Sequence, residues 1–297
     1  SIAMAVRALT KPGDAVLIQT PVYYPFLEAV RNNGRRLVKN ELVLDRGRYR
    51  IDFDDFGRKV RDEKVRLFIL CCPHNPVGRV WTEDELKRLG GICEAYGVYV
   101  FSDEIHCDFT YAGHTHRMFP EVNPSLSPLT VLGTAPSKTF NLAGLQAANI
   151  WIPGKAVRDA YRRETAASVY SQLNALGLAA CRAAYLHGAP WLEALKIYLA
   201  ENLSFLRAFF RERLPELTLI EPEGTYLVWF DCAGLGLDKY GLERFFREDA
   251  KLWLDRGPMF GGEADLFQRL NIACPRPFLE KALLQLEEAV KRAGIRG

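Results

Sequence analysis

From Arg66 to Cys72 the chain runs through Leu-Phe-Ile-Leu-Cys-Cys, apolar at consecutive positions instead of alternate ones. A strand of this kind has no wet face, so it belongs inside a sheet covered by helices on both sides. Val98–Ser102 repeats the pattern, Ala15–Gln19 is a shorter version, and Leu129–Thr134 and Ala147–Ile152 are two more. Between these runs lie helical segments: Ile2–Leu9, Tyr24–Asn32, Asp52–Glu63 with Asp52 as N-cap, and Thr82–Tyr96. Thr82 and Glu85 form the S/T-x-x-E signature of a capping box. Arg36–Leu44 reads as one further strand. Strands alternating with helices predict an α/β fold with a mostly parallel central sheet sandwiched by helices.

After about residue 153 the pattern changes. Long helices are predicted over Ala156–Ser168, Gln172–His187 and Trp191–Leu214. Short strands follow at Leu217–Glu221, Tyr226–Phe230, Leu252–Asp255 and Gln268–Cys274, with helices at Tyr240–Asp249 and Pro277–Arg292. We expect a large domain over residues 1–187 and a smaller C-terminal α+β domain over residues 188–297. The chain opens directly on helical pattern at Ser1-Ile2-Ala3-Met4, without a cap, which predicts that an N-terminal segment precedes it in the protein.

Composition narrows the function classes. A net charge of +3 over 297 residues gives no footprint for nucleic acid or a membrane surface. No apolar run approaches the roughly 20 residues of a membrane span. The seven cysteines show no CxxC pair and several sit inside apolar runs, so reduced thiols in a cytoplasmic protein are expected. His114, His116 and Cys107 lack the converging spacing of a zinc set, and no metal is expected.

In a parallel sheet the carboxyl ends of the strands carry the ligand. Four polar segments fall there: Thr20-Pro21-Val22-Tyr23, Pro73-His74-Asn75-Pro76, Asp103-Glu104-Ile105-His106 and Ala135-Pro136-Ser137-Lys138, which overlap the strings Asn75-Pro76-Val77-Gly78, Ser102-Asp103-Glu104-Ile105-His106 and Ser137-Lys138-Thr139-Phe140-Asn141-Leu142-Ala143-Gly144. Taken singly each is ordinary: a lysine after serine is usually on the surface, and an Asp after a strand is usually a cap. Their order and joint placement at strand ends resemble the fold-type I, pyridoxal 5′-phosphate (PLP)-dependent aminotransferase class I/II superfamily. Together with Arg269-Leu270-Asn271-Ile272-Ala273-Cys274-Pro275-Arg276, they resemble most closely its MalY/PatB, cystathionine β-lyase-like branch.

The resemblance implies the aspartate aminotransferase-like fold, PLP as cofactor, and a role for each matching residue. Lys138 resembles the Schiff-base lysine, which afterwards moves the Cα proton. Asp103 resembles the carboxylate that faces the pyridine nitrogen. Asn75 resembles the donor to the ring hydroxyl oxygen, and His106 stands where many relatives place a tyrosine for the same oxygen. Tyr23 resembles the aromatic residue on the ring face, Ser137 a phosphate contact, and Arg269 the guanidinium for the substrate α-carboxylate. Gln146 departs from the wider pattern, because many relatives have a phosphate-binding arginine there. The resemblance also implies a homodimer whose sites are completed by the partner chain.

The expected activity is carbon–sulfur β-lysis of cysteine S-conjugates to thiol, pyruvate and ammonia. An aminotransferase is the alternative, since it shares the first steps. A regulatory domain on the same fold, fused behind a DNA-binding segment, is a third reading.

Overall fold

The computed structural model describes residues 1–169 and 172–294. In chain order its helices are α1 (Ile2–Leu9), α2 (Pro25–Arg31), α3 (Phe53–Asp62), α4 (Glu83–Ala95), α5 (Phe119–Val122), α6 (Pro136–Thr139), α7 (Lys155–Ala167), α8 (Ala175–His187), α9 (Ala189–Arg213), α10 (Lys239–Arg244) and α11 (Arg276–Arg292). The strands are β1 (Ala15–Thr20), β2 (Arg36–Glu41), β3 (Val43–Asp45), β4 (Arg48–Arg50), β5 (Val65–Cys71), β6 (Tyr99–Asp103), β7 (Thr130–Thr134), β8 (Asn149–Trp151), β9 (Thr218–Leu219), β10 (Leu227–Asp231), β11 (Asp255–Arg256) and β12 (Phe267–Asn271).

Six strands form the central sheet in the order β2-β1-β5-β6-β7-β8. All its pairings are parallel except β7 with β8. The continuous apolar run of β5 is sorted by the pleat. Phe68, Leu70 and Cys72 point into one cluster with Phe56 and Val60 of α3 and Leu86, Leu89 and Cys93 of α4. Leu67, Ile69 and Cys71 point into another with Ala5, Val6 and Leu9 of α1, Phe26 and Val30 of α2, and Val157 of α7. One run of sequence therefore builds two cores, and both N-terminal caps read from the sequence form: Asp52 accepts from Asp55 N, and Thr82 and Glu85 close a capping box.

Four strands form a second, antiparallel sheet, β11-β12-β10-β9. Val228 and Phe230 of β10 pack beneath α9 and α11 with Leu203, Leu206, Leu283 and Leu286. The opposite face turns toward the first sheet. Trp229 stacks on Phe267 at 5.2 Å, donates from Nε1 to the Tyr49 hydroxyl at 3.2 Å, and shares a cluster with Phe68, Leu70 and Phe260. The two sheets thus have apolar material in common.

Several elements differ from the sequence expectation; the strands expected over Ala147–Ile152 and Leu217–Glu221 shorten to Asn149–Trp151 and Thr218–Leu219. Arg36–Leu44 is broken at Leu42, and its end joins a small hairpin, β3–β4, turned by Arg46 and Gly47, both at positive φ. The strand expected over Leu252–Asp255 shrinks to Asp255–Arg256. The helix over Tyr240–Asp249 stops at Arg244 and finishes in a π-type turn.

A buried ion network locks the second sheet to the loop after β5. Arg79 is buried and donates from Nε to Glu223 at 3.0 Å, from Nη2 to both Glu85 oxygens at 2.8 and 3.0 Å, and from Nη1 to the Tyr49 carbonyl. Glu223 also accepts from Arg48 Nε at 2.7 Å and Val80 N at 2.9 Å. Gly78 fits beneath this contact. Its φ of +71° suits glycine, and a Cβ there would meet Pro222 Cβ at 2.9 Å. Burial pulls the Glu223 carboxyl up, but Arg79, Val80 N–H and Arg48 outweigh that and hold it below its usual value. Its contribution is therefore present above the carboxylate range and lost as pH falls through it. Glu223→Ala leaves buried Arg79 with Glu85 as its single carboxylate and Val80 N–H without its acceptor, and is expected to cost about 2 kcal/mol at pH 7. The check is the urea midpoint; an unchanged midpoint contradicts the assignment.

Candidate active site

The carboxyl ends of β1, β5, β6 and β7 open onto one cavity of about 560 Å³. Its lining includes Tyr23, Asn75, Asp103, His106, Ser137, Lys138 and Arg269, which are all seven residues singled out from the sequence. Tyr23 follows β1, and its backbone N–H donates to the Asn75 carbonyl at 3.0 Å, joining two strand-end loops. Asp103 is the last residue of β6, and His106 lies in the turn beyond it. Ser137 and Lys138 lie on α6, a single turn that starts at Pro136 just after β7. Because β8 is antiparallel, its beginning lies on the cavity side, which brings Gln146, Ala147 and Ala148 into the wall.

Arg269 arrives from the second sheet. It sits in β12 opposite Trp229 on one side and Asp255 on the other. Its Nη1 donates to Asn75 Oδ1 at 2.8 Å, and its Nη2 is ion-paired with Asp255. Tyr226, Leu227 and Asn271 come from the same sheet. Sequence reasoning missed Tyr226, which meets the His106 ring edge-on at 5.8 Å and Phe109 at 5.0 Å. Tyr226 carries no motif; only the docking of the two sheets reveals it.

Burial dominates the electrostatics. It pushes the Asp103 carboxyl up to about 6; the Ile105 N–H and the Lys138 charge pull the other way, while neighbouring Glu104 adds to the rise. Burial also pushes His106 down to about 3, and the charges of Lys138 and Arg269 act in the same direction, so its imidazole is neutral at pH 7. The Tyr23 and Tyr226 phenols are raised by burial, Tyr226 to about 12, and both stay protonated.

Among the described residues, His106 Nδ1 and Arg269 Nε are buried without a hydrogen-bond partner. Buried polar atoms left this way are uncommon. They suit a bound molecule with acceptors, as does a cavity walled by an amine, a carboxylate, an amide and an aromatic ring. The donor set therefore fits PLP together with an amino-acid carboxylate. Among the described residues no three His, Cys, Asp or Glu side chains gather as a metal set, and no helix is long and apolar enough to cross a membrane.

Comparison with known proteins agrees with this geometry. Residues 1–283 match the family described as aminotransferase class I and II. The chain is 39% identical over 290 residues to cystathionine beta-lyase PatB of Bacillus subtilis, covering 98% of this chain and 75% of that protein. It is 34% identical to protein MalY of Escherichia coli, covering 98% and 74%. Among solved structures, cystalysin from Treponema denticola, which contains a pyridoxal 5′-phosphate cofactor, superposes with a TM-score of 0.96 at 36% identity, covering 98% and 74%.

The raised Asp103 carboxyl has a consequence for stability. A folded-state value above the unfolded one favours folding at low pH and loses that contribution as pH rises through about 6. Asp103→Asn is therefore expected to stabilise the cofactor-free protein at pH 8 by on the order of 1–3 kcal/mol, with little effect at pH 4. Thermal unfolding at the two pH values tests this, and an equal effect at both contradicts it.

Proposed function

Since this chain belongs to the aminotransferase class I and II family, and its curated relatives at 34–39% identity include a cystathionine β-lyase, we propose that it is a PLP-dependent carbon–sulfur β-lyase. Its substrates are cystathionine and related cysteine S-conjugates. The observation that carries this reading is the convergence of Lys138, Asp103, Asn75 and Arg269, from distant parts of the sequence, on one cavity.

Bound PLP supplies an aldehyde for amines and a ring that withdraws electrons from the substrate's Cα. Lys138 would tether the aldehyde, Asp103 would face the ring nitrogen, and Asn75 and His106 would face the ring oxygen. Tyr23 would lie against the ring, and Ser137 would donate to the phosphate. A neutral His106 offers a hydrogen bond without adding a positive charge that would compete with the ring nitrogen for Asp103.

Arg269 holds the α-carboxylate through parallel N–H donors, which fixes the direction of the Cα–H bond. Lys138, once its amine is free, removes the Cα proton. The Cβ–S bond breaks with its electron pair leaving on sulfur, and the thiolate takes up a proton. With one water consumed, the products are a thiol, pyruvate and ammonia.

Residues 1–187 and 188–297 are proposed as two domains, with α9 starting the second. α8 buries only Gly177 among its residues, while Leu176, Leu178, Tyr185 and Leu186 are exposed, as are Trp191 and Ile197 on α9. An apolar face this broad is characteristic of a protein–protein contact, and we read it as the contact with a second copy. The seven cysteines are free thiols, which suits the cytoplasm.

The test is the complete protein with PLP and cystathionine. The expectation is pyruvate and ammonia in equal amounts, a rate lowered about 10²–10⁴-fold by Lys138→Ala, and sedimentation as a pair of chains. No pyruvate, with amino groups appearing on an added 2-oxo acid, would assign an aminotransferase instead.

A further inference from the structure

Arg269 is already held by an anion of the protein's own. Its side chain is only 10% exposed, and its guanidinium lies over Phe260 with 4.8 Å to the ring centre. Nη1 is given to Asn75, Nη2 to Asp255, and Nε to no partner among the described residues. The register of β11 on β12 sets Asp255 directly opposite Arg269.

The two members of this ion pair are not equally dependent on each other. A buried guanidinium cannot lose its anion unless another replaces it. The Asp255 side chain is 34% exposed and lies outside the cavity lining, so water can solvate it once it is released. Arg269 therefore requires an anion, whereas Asp255 does not require Arg269.

We propose that Asp255 is an internal stand-in for the substrate α-carboxylate. It neutralises and orients Arg269 between turnovers, and it yields Nη2 when a substrate carboxylate takes Nη2 together with the free Nε. This rests on the reading that Arg269 binds the substrate carboxylate. Asp255 is then a positioning residue that acts through Arg269. Substrate affinity becomes the difference between two anions competing for one guanidinium, so Asp255 sets KM more than kcat. It also acts as a charge filter. A ligand with a neutral amide in place of the carboxylate cannot displace a full negative charge, while a carboxylate can. The same competition speeds departure of the 2-oxo acid product.

The test uses propionate, a carboxylate with no amine, bound to the cofactor-free protein and followed by calorimetry, alongside steady-state kinetics of the PLP-loaded protein with cystathionine. Asp255→Asn is expected to tighten propionate about 3- to 10-fold and to lower KM by a similar factor, with kcat changing by less than about twofold. Asp255→Glu restores the competing charge and should return both values toward wild type. Asp255→Ser serves as a second neutral variant should the Asn protein fold poorly. Propionate affinity that is unchanged or weaker in the neutral variants overturns the proposal. Arg269→Ala separates the two levels. If it abolishes propionate binding while the Asp255 variants have no effect, only the stand-in role fails. If it leaves propionate binding intact, the assignment of Arg269 itself falls, and the proposal falls with it.

Discussion

A carboxylate enclosed by protein at the end of a central strand is costly, and half-buried Asp103 is held in that position by everything around it. Its strand, β6, lies between β5 and β7 with helices over both faces, so the side chain at its end is hemmed in by protein and reaches water only through the cavity it lines. Proteins seldom keep an acid in such a place unless a positive partner offsets the cost. Within the chain the offset is partial: the Ile105 N–H and the charge of Lys138 lower a value that burial still leaves at about 6. A protonated pyridine nitrogen would complete the pairing. The site is thus less stable alone than with its cofactor, the usual cost of preorganising charge for chemistry.

The second constraint is the joint between the sheets. Trp229 and Phe267 of the antiparallel sheet are packed in the same cluster as Phe68 and Leu70 of the parallel one, and the Arg79–Glu223 ion pair pins the loop before β10 beside Gly78. This docking carries Arg269 to Asn75, 194 positions away in sequence. The Arg269 guanidinium on one sheet and the Lys138 amine and Asp103 acid on the other then face a common space. Small changes in docking angle would move Arg269 relative to Lys138 with no change in either sheet.

Much of this was readable in the sequence, and the reasons are local. Consecutive apolar residues in Arg66–Cys72 announce a strand buried on two faces, and the rule that ligands gather at strand carboxyl ends points to the segments that hold Tyr23, Asn75, Asp103 and Lys138, within which the family resemblance picks out those residues. The Thr82–Glu85 cap is written in four residues. What the sequence left hidden depends on register and docking. Asp255 ends a run read as a strand, Leu252–Asp255, but the run says nothing of register, and only the pairing of β11 with β12 sets it opposite Arg269. Tyr226 has the look of an ordinary strand-edge aromatic until the sheets meet. In the β3–β4 hairpin, Val43 and Leu44 read as part of the longer strand Arg36–Leu44 and β4 gives no signal, because strands of three residues carry too short a pattern to show.

The central claim is that the amine of Lys138 is the group that meets PLP in this cavity. The direct measurement is to load the complete protein with PLP, reduce with borohydride, digest it, and find the pyridoxyl group by mass spectrometry. The account predicts one labelled peptide, the one carrying Lys138, and no label when that residue is alanine. Label on a different lysine, or undiminished labelling of the alanine variant, would contradict it.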